Sequence, residues 1–133
     1  AHIANSLITD GSVACEGATV ERSVLSPGVY IGPNAVVRDS VILNDAYVEA
    51  GARVERCIVD KIAVIGQNAV VGSAQSVGDL QITAVGKNTR IPAGFTIGAG
   101  SVLGTDVSAE DFQEYAADRR VPANTRVGYA KRT

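Results

Sequence analysis

Residues 25–41 read LSPGVYIGPNAVVRDSV, and the same order of aliphatic, glycine and polar residues returns every 17 positions. Residues 8–24, 42–58 and 59–75 align with this stretch column by column. The columns that hold small or aliphatic residues in every unit are Ala18, Ala35, Ala52 and Ala69; Val20, Val37, Val54 and Val71; Ala14, Ile31, Val48 and Ile65; and Ile8, Leu25, Ile42 and Val59. A repeat of this length decides the fold, because each unit can bury its apolar side only against its neighbours.

The apolar spacing inside one unit predicts three short strands. Aliphatic residues follow one another at steps of 6 and 5, as in Ile31, Val37 and Ile42, whereas a helix needs steps of three and four. Gly or Asn recurs at one corner of the pattern and Gly or Asp at a second, and these residues tolerate positive φ. This hexapeptide pattern is typical of the left-handed parallel β-helix. We therefore predict an all-β fold, a left-handed parallel β-helix of hexapeptide repeats with a short C-terminal capping helix.

Two further features of the repeat lead to predictions. Ile62 stands in the corner column of Gly11, Gly28 and Asp45, so we expect a distorted corner there. Oppositely charged residues alternate down two neighbouring columns, and we expect them to form ladders between coils about 4.8 Å apart. The ladder columns are Glu21, Arg38 and Glu55, then Arg22, Asp39 and Arg56.

The repeat is interrupted once and then ends. After Val71 the spacing breaks, and it resumes at Val85 with strict six-residue steps, so we expect a loop at about residues 73–84. Ser108 and Asp111 are placed as a capping box, which predicts a helix that covers the open end of the coils. The expected division is a β-helix over residues 1–107, then a helix and a basic tail over residues 108–133. Because the chain starts inside a repeat, we also expect it to be a fragment of a longer protein.

The composition excludes several classes of function. Of 133 residues, 12 are Lys or Arg and 14 are Asp or Glu, a net charge of −2 with no global basic field for nucleic acid or an anionic membrane. No apolar run is long enough to span a bilayer, and we expect a cytoplasmic protein. The single histidine, His2, rules out the histidine base of hexapeptide acyltransferases and the three-histidine zinc site of related carbonic anhydrases. We predict no metal site and no catalytic residue, and we place Cys57 at an outward-facing position with Ser23 and Ser40.

Three stretches carry a more specific resemblance. The strings NSLITDGSV (5–13), VERSVLSPGVYIGPNAVVRDSVIL (20–43) and VERCIVDKIAVIGQNAVVG (54–72) together resemble the C-terminal domain of glucose-1-phosphate adenylyltransferases, as does ITAVGKNTRIPAGFTIG (82–98). The resemblance implies a parent enzyme that makes ADP-glucose and pyrophosphate from ATP and glucose 1-phosphate for glycogen or starch synthesis. Mg²⁺ and ATP would bind to a separate N-terminal catalytic domain, so we expect no cofactor and no adenylyl transfer in this chain alone.

The same resemblance implies partners and a regulatory site. Family members are allosteric tetramers, so the expected partners are further copies of the chain, its catalytic domain and a phosphorylated small-molecule effector. In VGKNTRIPAG (85–94), Lys87 matches a family lysine that contributes to effector binding, and Arg90 follows three residues later. Arg119 and Arg120, with Arg126, could fold back towards the same end. The alternative is a structural hexapeptide scaffold of another sugar nucleotidyltransferase, guanylyltransferase-like, or of an acyltransferase-like protein.

Overall fold

The protein is a parallel β-helix of about six turns with one short helix, as a computed structural model shows, in agreement with the predicted fold class. The structure describes residues 1–72 and 81–128. Each of the first five coils contributes one strand of two or three residues to each of three sheets, later strands extend only two of these sheets, and every pair of neighbouring strands is parallel. Sheet 1 consists of β1 His2–Ala4, β4 Thr19–Glu21, β7 Val36–Arg38, β10 Arg53–Glu55, β13 Val70–Gly72, β16 Thr96–Ile97 and β18 Arg120–Val121.

The other two sheets follow the same order along the coil axis. Sheet 2 consists of β2 Leu7–Ile8, β5 Val24–Leu25, β8 Val41–Ile42, β11 Cys57–Val59, β14 Thr83–Val85, β17 Val102–Leu103 and β19 Arg126–Val127. Sheet 3 consists of β3 Val13–Ala14, β6 Tyr30–Ile31, β9 Tyr47–Val48, β12 Val64–Ile65 and β15 Arg90–Ile91. We number the coils from the N-terminus, so that coil 1 holds β1–β3 and coil 4 holds β10–β12. We call the corner between sheets 1 and 2 edge 1/2, that between sheets 2 and 3 edge 2/3, and that between sheets 3 and 1 edge 3/1.

The aliphatic columns of the repeat form the core. Val20, Val37, Val54 and Val71 are all buried, and Val54 lies in register with Val37 on one side and with Val71 on the other. Leu25, Ile42 and Val59 fill a second column and Ile31, Val48 and Ile65 a third, whereas Ile8 and Ala14 in the first coil are only half-buried. Each inner layer is therefore closed by the coil above and the coil below.

The chain after residue 103 differs from the predicted division. A 3₁₀ helix, Ala109–Tyr115, begins after Ser108, whose backbone N–H donates to the Asp111 carboxylate at 3.0 Å. Phe112 of this helix packs edge-on against Phe95, with ring centroids 5.5 Å apart. The helix takes the place of a sixth strand in sheet 3, because the Arg90 N–H donates to the Val107 carbonyl just before it.

Strands of the coil also occur after the predicted boundary at residue 107. The chain returns to the coil as β18 and β19, which pair with β16 and β17, so residues 120–127 extend sheets 1 and 2 and are not a free tail. Thr83 and Ala84 belong to β14, so the strand that follows the interruption starts inside the predicted loop 73–84. Residues 73–80 and 129–133 of the predicted loop and tail lie outside the described residues.

The corner at Ile62 is regular, which corrects the expected distortion. Ile62 adopts φ +53°, as its column neighbour Asp45 adopts φ +59°, and its backbone N–H donates to the Asn44 carbonyl at 3.0 Å. The hydrogen bonds to the coil before it hold this left-handed conformation, which is strained for a β-branched side chain. The strain is therefore confined to the backbone of Ile62, and the path of the coil is unchanged.

Replacing Ile62 by Asn is expected to stabilise the protein. Asn tolerates the left-handed region, and the Ile62 side chain is largely exposed, so the substitution removes strain and little burial. We expect a gain of about 1 kcal/mol in the free energy of unfolding, measured by urea denaturation. Ile62→Val is the control, because valine keeps the branched Cβ and the strain. An Asn variant that unfolds at lower urea concentration than the parent would contradict this account.

Candidate functional site

The four predicted effector-binding residues lie at two separate places. Lys87 lies at edge 2/3 of the fifth coil and Arg90 opens β15 in sheet 3. Arg119 follows the 3₁₀ helix at edge 3/1, and Arg120 opens β18 in sheet 1. Lys87 and Arg90 therefore lie in the fifth coil, at edge 2/3 and in sheet 3, and Arg119 and Arg120 lie at edge 3/1 and in sheet 1.

Acidic groups surround the Lys87 edge. The Asp106 N–H donates to the Lys87 carbonyl at 2.9 Å, and the side-chain amide of Asn88 donates to Asp106 at 2.8 Å. The first turn of the 3₁₀ helix carries Glu110 and Asp111. Within residues 1–72 and 81–128, neither Lys87 nor Arg90 forms an ion pair, and both side chains are exposed. These two cations are available to an anion, but they do not form a concentrated positive surface.

The outer face of sheet 2 carries a row of exposed aliphatic side chains. Leu7, Val24, Val41 and Ile58 are in register in coils 1–4, with exposed fractions of 64, 37, 36 and 42% respectively. We call these four residues the aliphatic row. The sequence analysis missed it, although it is a fifth aliphatic column at the same 17-residue period, one position before the buried column of Leu25 and Ile42.

Charged residues at edge 1/2 border the aliphatic row. A groove of about 570 Å³ runs between Arg22, Asp39 and Arg56 on one side and Val41 and Ile58 on the other. A second depression of about 520 Å³ continues it past Asn5, Arg22, Leu7 and Val24. One face thus combines an apolar centre with a border of alternating charge.

The charge alternation at this border is the ladder that the repeat predicts. The Arg22 guanidinium binds Asp39 through two hydrogen bonds of 2.7 and 3.2 Å, and this contact lowers the pKa of the Asp39 carboxyl. In the neighbouring column, Arg38 pairs with Glu21 at 2.6 Å, whereas the buried Glu55 pairs with Arg53 of its own strand at 3.1 Å. Ion pairs between coils therefore join Arg22 to Asp39 in one column and Glu21 to Arg38 in the other, and neither column continues its pairing into the fourth coil.

Edge 2/3 forms the opposite border of sheet 2. Asp10, Asp45 and Lys61 are exposed there, in coils 1, 3 and 4. Gly28, with φ +77°, leaves room for the Asp45 carboxylate, because a Cβ on residue 28 would collide with it. The aliphatic row therefore lies between two charged borders.

Sheet 3 presents an aromatic pair instead of an aliphatic row. Tyr30 and Tyr47 occupy the same outward column in consecutive coils, and their rings stack with centroids 4.8 Å apart. A shallow depression of about 510 Å³ beside them is lined by Glu49 and Gln67, among others. The stacking strengthens the contact between the second and third coils.

A column of hydroxyl and thiol side chains at edge 1/2 is buried, which corrects the predicted outward position of Cys57. Ser23 and Ser40 are buried with it, because the left-handed residue before each of them turns the next side chain inward. The Ser40 hydroxyl donates to the Arg38 carbonyl at 2.7 Å and accepts from the Cys57 N–H at 3.1 Å. The column in register is Ser6, Ser23, Ser40, Cys57, Thr83, Ser101 and Thr125, of which the two end residues are only half-buried. It satisfies backbone groups that the corners leave unpaired.

Cys57 is expected to be unreactive in the folded protein. Burial raises the pKa of its thiol from 9.0 to about 12, so the nucleophilic thiolate is not formed at neutral pH. Ellman's reagent should label the half-buried Cys15 in the native protein and both cysteines only after unfolding.

The same group makes stability depend on pH. Between about pH 9 and 12 the unfolded chain loses the Cys57 proton while the folded chain keeps it, so the free energy of unfolding should fall as the pH rises. Cys57→Ser removes this contribution and serves as the control. Rapid native labelling of two thiols would contradict the buried position.

The described part of the chain was also compared with the requirements of a metal site and of a membrane-spanning helix. Among residues 1–72 and 81–128, no three His, Cys, Asp or Glu side chains come together in a way that could hold a metal ion. None of the described helices has the length and the hydropathy that crossing a bilayer requires.

These observations define a hexapeptide-repeat parallel β-helix whose most developed surface is the outer face of sheet 2. Residues 1–81 match the family described as GlmU-like, C-terminal hexapeptide, which is more than half of the chain. The protein therefore belongs to the GlmU-like C-terminal hexapeptide family. No curated protein sequence matches it.

Several solved structures are similar to this chain. The N-terminal domain of CcmM, crystallised in complex with CcmN, is 22% identical, and the match covers 78% of this chain and 95% of that one with a TM-score of 0.36. At this identity and TM-score, the likeness supports no inference about function.

Proposed function

We propose that this chain is the assembly domain of a sugar nucleotidyltransferase, and that copies of it associate through the outer face of sheet 2. The aliphatic row carries the proposal. A contiguous exposed apolar patch with a polar rim is the usual mark of a protein interface. The family match to the hexapeptide domain of GlmU-like proteins supports a transferase parent.

The position of the row within a parallel sheet strengthens this argument. The inner face of sheet 2 is already filled by Leu25, Ile42 and Val59, so the side chains of the row cannot join the core of their own chain. In the four coils of the row, none of the described residues covers the outer face of this sheet. When two copies associate, the four aliphatic side chains on each copy are removed from water, and this favours the association.

The test is the self-association of the 133-residue chain. Val41→Arg places a charge in the centre of the row and should weaken association at least tenfold, as measured by sedimentation velocity over a range of concentrations. Val36→Arg is the matched control, since it introduces the same charge in the same coil but on the outer face of sheet 1. A parent chain that stays monomeric at every concentration tested would overturn the proposed function.

We further propose that the parent enzyme is the adenylyl enzyme implied by the sequence resemblance, which forms ADP-glucose from ATP and glucose 1-phosphate. The resemblance of residues 5–72 and 82–98 supports it. Lys87 and Arg90 would then contribute to the site of a phosphorylated effector, since both are exposed and form no ion pair in residues 1–72 and 81–128. Arg119 has its guanidinium beside Gly94, four residues after Arg90, and Arg120 is the first residue of β18. Both remain candidates for a second donor at this site.

Removing the Lys87 charge should weaken effector activation in the full-length product of the gene. A charge-assisted hydrogen bond to a phosphate is worth about 1.5–3 kcal/mol, so Lys87→Ala should raise the activator concentration at half-maximal rate about tenfold or more. Arg53→Ala is the control, because it removes an exposed cation of sheet 1 in coil 4 and should leave this concentration unchanged. Equal midpoints for the parent and the Lys87 variant with every phosphorylated activator would remove Lys87 from the site.

A further inference from the structure

The exposed tyrosine pair on sheet 3 has no part in the proposed function. Tyr30 and Tyr47 belong to the outward column of this sheet, between Val13 of coil 1 and Val64 of coil 4. Their rings stack with an interplanar angle of 26°, and 48% of Tyr47 is exposed. Each ring covers one face of the other, and no other described ring contacts the second face of either. Exposed tyrosines supply contact area to a ligand at a low cost in conformational entropy.

The depression beside the pair combines apolar walls with two polar groups. Its volume of about 510 Å³ is within the range of ligand pockets. The two rings, Pro33 and Ala50 form its apolar part, and Glu49 and Gln67 provide the polar groups. Neither polar side chain forms a hydrogen bond or an ion pair within residues 1–72 and 81–128. The depression therefore offers a carboxylate and an amide that a ligand can reach.

Neighbouring coils leave the Glu49 carboxylate uncovered. The residues in register with Glu49 in the coils before and after it are Gly32 and Gly66, so its column brings no second side chain. A Cβ on residue 32 would lie 2.7 Å from the Ala50 nitrogen, so the close approach of the coils leaves no room for a side chain there. The carboxylate is exposed for this reason.

The negative charge of this carboxylate reaches the aromatic pair. The pKa of the Tyr30 hydroxyl is raised, first through hydrogen bonding with Cys15 and then through nearby charges, among them that of Glu49. A raised pKa keeps the phenol neutral, so its ring presents an uncharged face with a negative quadrupole beside one carboxylate.

The charges around sheet 3 also favour a cation. In coils 1–4, the two borders of this sheet carry an excess of acidic residues and a single lysine. The acids are Asp10, Glu16, Asp45, Glu49 and Asp60, and the lysine is Lys61. Such a surface repels an anionic ligand and attracts a cationic one.

We propose that this depression binds an arginine side chain of a basic polypeptide segment. A cation over the face of Tyr47 is attracted by the ring quadrupole. A guanidinium group is planar, so it can lie on the ring and at the same time donate hydrogen bonds to the Glu49 carboxylate and the Gln67 carbonyl oxygen. An ammonium group is a compact, strongly hydrated charge and matches the flat ring less well.

The shape and the charge of this surface indicate a polypeptide ligand and not a small free cation. The depression is shallow, so a small molecule in it would keep much of its contact with water. The acidic residues extend beyond the depression, from Asp10 in coil 1 to Asp60 in coil 4, and only a ligand with several cations can contact them. The site lies on sheet 3 and is independent of the association through sheet 2.

The test titrates the 133-residue chain with N-acetyl triarginine amide at low ionic strength, where surface charges are least screened, by isothermal titration calorimetry. The trilysine analogue has the same charge and should bind more weakly. The tricitrulline analogue keeps the shape of the arginine side chain without its charge and should show no binding. N-acetyl arginine amide should bind about 2- to 25-fold more weakly than triarginine, because it lacks two surface ion pairs worth a factor of about 1.5 to 5 each.

Substitutions locate the binding in the depression. Tyr47→Leu should weaken triarginine binding about 2- to 5-fold, because it removes an exposed cation–π contact, whereas Tyr47→Phe keeps the ring and should bind like the parent. Glu49→Gln should weaken binding about 1.5- to 5-fold. Glu114→Gln is the matched control, since it removes the same charge from the 3₁₀ helix and should leave the affinity unchanged. Thermal melts of each variant show whether the coil is intact.

Three results would overturn the site. They are a parent chain that does not bind triarginine, triarginine binding that Tyr47→Leu leaves unchanged, and tricitrulline binding as tight as that of triarginine. Binding of the single arginine as tight as that of triarginine would overturn the polypeptide ligand. A chain that stays monomeric would overturn the proposed function but leaves this test unchanged, so the two proposals fail separately.

Discussion

The backbone hydrogen bonds between one coil and the next support everything else in this protein. Its strands have only two or three residues, which is too short for a strand to be stable by itself. The Val36 N–H donates to the Ala52 carbonyl at 2.8 Å, and the Arg53 N–H donates to the Ala69 carbonyl at 2.8 Å, so each coil is fixed by its neighbours. Because this register repeats, any side chain placed once per coil becomes a column that runs the length of the molecule.

This constraint determines where the chain can depart from the repeat. On either side of residues 73–80 the described strands end at Gly72 and begin again at Thr83, and the 3₁₀ helix begins after β17 has ended. After each, the strands return to register: Ala84 pairs with Ile58, and Arg126 pairs with Val102.

The edges also require one left-handed residue per corner, and at edge 1/2 that position is held by Arg22, Asp39 and Arg56. The corner geometry therefore places alternating charge along the border of the aliphatic row.

The outer face of sheet 2 is the surface on which the proposed assembly role rests. The only histidine is His2, and the buried thiol of Cys57 is committed to a column that satisfies backbone groups. The outer face of sheet 2 has the features of a contact surface: an apolar centre, charged borders, and a rigid backbone that loses little entropy on binding. Regulation by an anion at Lys87 would use a different part of the same rigid support, away from the row.

Most of the fold followed from the sequence, because a contact between residues 17 positions apart is visible as a column without knowledge of the structure. The inward aliphatic columns, the Gly and Asn corners and the pairing of Arg22 with Asp39 were predictable for this reason. The return of β18 and β19 to the coil was not, since the helix breaks the period and only the parallel pairing restores it. The inward turn of Ser40 and Cys57 depends on the backbone angle of the residue before them. The role of Leu7, Val24, Val41 and Ile58 likewise needed the tertiary structure. An aliphatic column in the sequence can face the core or the solvent, and only the path of the coil decides which.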